Sequence, residues 1–108
     1  MDSWKDAEIA FEVKLNFSEA RALLRAMELY APKAYNLMPQ AGQLERFLRC
    51  YLNSDADFSV LLVIEVTAKE TLVMKKATRD YCVNVNRNSY NLDIYRELCR
   101  VTNEQPKI

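Results

Sequence analysis

The chain has 108 residues, half of them hydrophobic and 28% charged, with 15 basic side chains, 15 acidic ones and no histidine. This length and mixture suit one globular domain, 1–108, with its own core, and are wrong for a disordered chain. Zero net charge gives no long-range pull toward nucleic acid or an acidic membrane, and the missing imidazole excludes Ser-His-Asp and Cys-His mechanisms within one chain.

The opening residues, MDSWKDAEIAFEV, carry acids early and no apolar run, so they do not read as a secretory signal. Residues 1–6 are expected to fray. AFEVKLNF, 10–17, alternates: Phe11, Val13, Leu15 and Phe17 on one face, Glu12, Lys14 and Asn16 on the other. This predicts a half-buried strand. Ser18 then reads as an N-cap, with Glu19 favourably placed in the first helical turn. The helix runs to Ala31 on a stripe of Ala20, Leu23, Leu24, Met27 and Tyr30, and Pro32 stops it.

PKAYNLMPQ, 32–40, is a connection. The next helix, about 40–53, carries Leu44, Phe47, Leu48, Tyr51 and Leu52 at full helical spacing, with Glu45 and Arg49 paired on the other side. NSDAD breaks it. FSVLLVIEV, 58–66, is nearly solid with apolar residues and predicts a central strand covered on both faces. Its longest apolar run, VLLVI, is far too short to span a bilayer.

Thr67 and Glu70 form a capping-box pattern, and Val73, Met74, Ala77 and Tyr81 share a helical face. The competing reading is a hairpin whose turn would lack Gly, Asn and Asp. In DYCVNVN, Tyr81, Val83 and Val85 alternate with Cys82, Asn84 and Asn86, which predicts a strand over 80–86. Asn88 or Ser89 caps a last helix, 89–102, with Ile94, Tyr95, Leu98 and Val101 apolar. The tail, 103–108, is expected to fray. The fold class is α+β: a single-layer sheet of three or four strands, 58–66 central, packed by three or four helices.

Chemistry is sparse. Gly42 is the only glycine, which excludes phosphate-cradling loops built on several glycines. Cys50, Cys82 and Cys99 show no C-x-x-C spacing and read as buried thiols in a reducing, cytosolic compartment. A Cys82–Cys99 pair stays open if strand and helix meet there. Cys82 beside Arg79 or Arg87 has the makings of a nucleophile, but a small packed hydrophobe explains it as well. Asp55, Asp57 and Glu65 are the carboxylates available to a minimal hydrolase, though two acids before a strand are ordinary turn residues. No cofactor or metal site is expected.

Two binding readings remain. Residues 1–66 carry 7 basic and 10 acidic side chains, and residues 67–108 carry 8 and 5. Lys75, Lys76, Arg79 and Arg87, with tyrosines among them, are therefore the candidate contacts for nucleic acid, although Asp80 interrupts them. Against this stand six tyrosines, four phenylalanines and four methionines, types enriched at protein interfaces. The asparagine strip offers paired donors and acceptors to a peptide backbone. The sequence therefore favours a small non-enzymatic regulator, adaptor or stoichiometric inhibitor that binds protein and forms a homodimer. Its expected contacts are Asn84, Asn86, Tyr90, Ile94 and Tyr95, then Tyr35 and Met38.

Overall fold

The computed structural model describes residues 10–31, 38–55, 57 and 59–108. Strand β1 is Ala10–Leu15. It ends earlier than its alternation suggested, because Asn16 and not Ser18 caps the first helix. The Asn16 side chain accepts from the Glu19 amide at 2.7 Å, and the Glu19 carboxylate accepts from the Asn16 amide at 2.9 Å. This reciprocal box turns Phe17 into the first residue of α1, Phe17–Tyr30. Ala20, Leu23, Ala26 and Met27 are buried along it.

Helix α2, Met38–Leu52, starts two residues before its expected boundary and takes Pro39 into its first turn, where the missing amide costs nothing. Ala41, Leu44 and Leu48 face the core. Strand β2, Leu62–Thr67, pairs antiparallel with β1, with Val13 opposite Ile64 and Glu12 opposite Glu65. Among the described residues the sheet has two strands, not the three or four expected. Val13, Leu15, Ile64 and Val66 fill its inner face. The expectation of a central strand over 58–66 also fails: with one partner strand, only one face of β2 is covered, and Val63 is 50% exposed.

Thr67 caps α3, Ala68–Asn84, through the capping box with Glu70, so the helical reading of this segment holds. The predicted strand over 80–86 does not exist; 80–84 are the last turns of α3, with Val85 as its C-cap. Val73, Met74 and Ala77 of the expected face are buried, and Thr71, Lys75, Thr78 and Cys82 are buried beside them. The threonines enter the core because each returns its hydroxyl to the carbonyl one turn back, Thr71 to Thr67 and Thr78 to Met74, both at 2.8 Å. The polar part of this face has helical period but little apolar signal.

Ser89 caps α4, Tyr90–Val101, accepting from the Asn91 amide, as the sequence indicated. Helix α1 packs against α2, α3 and α4, and α3 packs against α4, while the sheet lies on the α3 and α4 side. Among the described residues the order is β–α–α–β–α–α, an α+β arrangement of four helices and one small sheet. The last residues are exposed, yet Glu104 pairs with Lys75 at 2.7 Å and the Lys107 amide donates to the Tyr95 hydroxyl at 3.1 Å. Residues 1–6 lie outside the described residues. Among the described residues, no helix is long and apolar enough to cross a membrane.

Candidate functional site

Two surfaces stand out once the core is assigned. The first is the open side of β2. The β1–β2 pairing leaves the other edge of β2 without a strand among the described residues, so its outward backbone groups are available to another chain. Helix α2 flanks this edge. Gln43, Leu44 and Phe47 of α2, Val63–Val66 of β2 and Glu70 line a groove of about 340 Å³. Phe47 is 46% exposed, and Val60 and Leu61, just before β2, are more than half exposed. These are large apolar side chains in water at a strand edge whose own charge is the exposed Glu65 and which carries no proline.

The second surface is a cleft of about 570 Å³ where α1, α3, α4 and the end of α2 converge. Ser18, Arg21, Leu24, Arg25 and Glu28 follow one face of α1, and Leu52, Tyr81 and Tyr90 form the opposite wall. Tyr81 is braced edge-to-face by Tyr30, with ring centroids 6.5 Å apart. Asn91 fixes the position of Tyr90: its buried amide donates to the Ala22 carbonyl at 3.1 Å, tying the start of α4 to α1.

The expected contact residues are scattered. Tyr90 is 51% exposed and lines the cleft. Ile94 and Tyr95 are only 1% and 4% exposed; they pack inward and offer a partner almost nothing. Asn84 donates to the Asp80 carbonyl at 2.9 Å, and Asn86 accepts from the Asn88 amide. They terminate α3 and shape the following turn, and do not form the strand edge the alternation implied. Tyr35 lies outside the described residues; Met38 opens α2, and its side chain lies outside them too.

The basic residues are largely engaged. Lys76 and Arg79 both reach Asp80, at 2.9 and 3.5 Å. Lys75 is nearly buried between Glu104 and the Thr102 hydroxyl. All three line a hollow of about 510 Å³ that also holds Tyr95 and Lys107. Arg87 stands exposed in the turn before α4.

Of the thiols, Cys82 and Cys99 are buried but Cys50 is exposed, against expectation, and none is in a disulfide. Burial pushes the Cys82 thiol up, outweighing its contact with the Ser89 hydroxyl, so it is held as a thiol. Asp55, Asp57 and Glu65 are exposed. Asp57 is held below its ordinary value by hydrogen bonds from the Ser59 hydroxyl and amide, the bonding of a turn.

Sequence reasoning missed Phe47 and Val63 as surface residues, because an apolar run does not say which of its members are covered. It also missed Arg21 and Arg25. A like-charge pair four residues apart was the available signal, since such pairs weaken a helix. Comparison with family models, curated proteins and solved structures finds no match to this chain.

Proposed function

We propose that this protein is a small non-enzymatic regulator, adaptor or stoichiometric inhibitor that acts by protein–protein contact and associates with itself. The observation that carries this reading is the open edge of β2 beside Phe47. An unpaired strand supplies a row of directional hydrogen bonds, and the flanking apolar side chains supply burial. A second chain adding at this edge would extend the sheet and cover Val63 and Phe47 together. A symmetric pair is the simplest closed assembly. The three free thiols favour a cytosolic setting.

The test is capture of partners from an extract of the native cell, with the wild-type chain and a Phe47→Glu, Val63→Lys variant as baits. Phe47 and Val63 are each about half exposed, so an unchanged circular dichroism spectrum of the variant is required before the comparison is read. The expected result is a defined set of proteins retained by the wild type and lost by the variant. Retention of the same set by both baits would remove the β2 edge from the account.

A further inference from the structure

The cleft walled by Tyr81 and Tyr90 has its own chemistry. Arg21 and Arg25 are exposed on successive turns of α1 and line the same wall. Neither has an acidic partner within ion-pair distance among the described residues, unlike Arg49 of α2, which pairs with Glu28 and Glu45. Arg21 is steadied by the Phe17 ring, 5.9 Å from its centroid. The one acid in the cleft, Glu28, is engaged by Arg49 at 3.5 Å. Two unneutralised guanidinium groups side by side cost helix stability, and an anion in the cleft removes that cost.

We infer that this cleft binds an acidic segment of a partner protein, with carboxylates on Arg21 and Arg25 and an apolar or aromatic side chain against Leu24, Leu52 and Tyr90. The shape favours a peptide over a lone anion. From Ser18 to Glu28 the wall runs about 15 Å along α1, the reach of four or five extended residues. Its order is hydroxyl, guanidinium, guanidinium, carboxylate, so a segment with its acids at one end is oriented. Single-stranded nucleic acid fits less well: only two phosphates could be met here, and the neighbouring cations Lys76 and Arg79 are tied to Asp80.

This inference rests on the reading that the protein binds protein, but on a different surface from the β2 edge. Three fluorescein-labelled probes test it by anisotropy on the full chain: a peptide of aspartate and glutamate with one tryptophan, its asparagine and glutamine counterpart, and a single-stranded oligothymidylate. The acidic peptide should bind, weaken at least about tenfold when salt rises from about 50 to about 500 mM, and weaken about tenfold or more in an Arg21→Gln, Arg25→Gln variant. The neutral peptide should not bind. The Phe47→Glu, Val63→Lys variant should bind the acidic peptide as the wild type does, which separates failure at the cleft from failure at the edge. Absence of acidic-peptide binding, equal binding by the arginine variant with an unchanged circular dichroism spectrum, or tighter binding of the oligothymidylate would each overturn the assignment.

Discussion

Helix α3 and strand β2 are neighbours in sequence, joined at the Thr67 cap, yet they meet the molecule in opposite ways. Helix α3 buries seven residues, including Thr71, Lys75 and Thr78, and each of those polar side chains has a partner inside the protein. Strand β2 buries only Ile64 and Val66 and leaves Val63 and its outer edge to solvent. The helix draws polar side chains inside and the strand leaves an apolar one outside, although α3 too exposes Leu72 and Val83. The exposed apolar surface beside β2 is what the proposed interface would cover, while the buried polar groups are ordered within the chain.

The sharpest way to break this contrast is to truncate one side chain on each side. Met74, wholly buried in α3, should cost about 3 kcal/mol as Met74→Ala. Val63→Ala should cost less than about 0.5 kcal/mol at protein concentrations low enough to keep the chain monomeric. Urea unfolding of both variants checks this. Similar losses would mean that the outer face of β2 is part of the core.

A smaller effect is expected from the ion pair that pins the tail over α3. Lys75 holds Glu104 below its ordinary carboxylate value, by hydrogen bond and charge. A carboxylate with a lowered folded value adds stability above its unfolded value, and that stability is lost as pH falls through the folded value. Unfolding followed through the acidic range should show a loss that is smaller in Glu104→Gln than in the wild type, the remainder coming from carboxylates such as Asp57 and Glu97. At neutral pH this variant should be the less stable of the two, because the nearly buried Lys75 charge loses its partner. Parallel pH profiles would show that the tail contributes nothing.

How far the sequence could be read follows the same contrast. The Thr67–Glu70 box and the Ser89 cap were legible, because capping depends on side-chain chemistry at fixed spacing. The stripe of α1 was legible because its buried residues are apolar. The end of α3 was not. Tyr81, Val83 and Val85 alternate as a strand would, while the true stripe is carried by Thr78 and Cys82, whose period is helical but whose polarity hides it. The run over 58–66 reads as covered on both faces, since a sequence records hydrophobicity and not the number of neighbours. For the same reason the cleft of Arg21, Arg25 and Tyr90 was invisible: four helices distant in sequence build it.

The central claim is that the open β2 edge and Phe47 form an interface, with a second copy as the simplest occupant. Sedimentation equilibrium over a wide concentration range tests it most directly, with the wild-type chain and the Phe47→Glu, Val63→Lys variant side by side. The wild type should rise from the mass of one 12.6 kDa chain toward twice that mass, and the variant should stay at one chain throughout. A wild type that remains monomeric at every concentration, or a variant that associates equally well, would contradict the account.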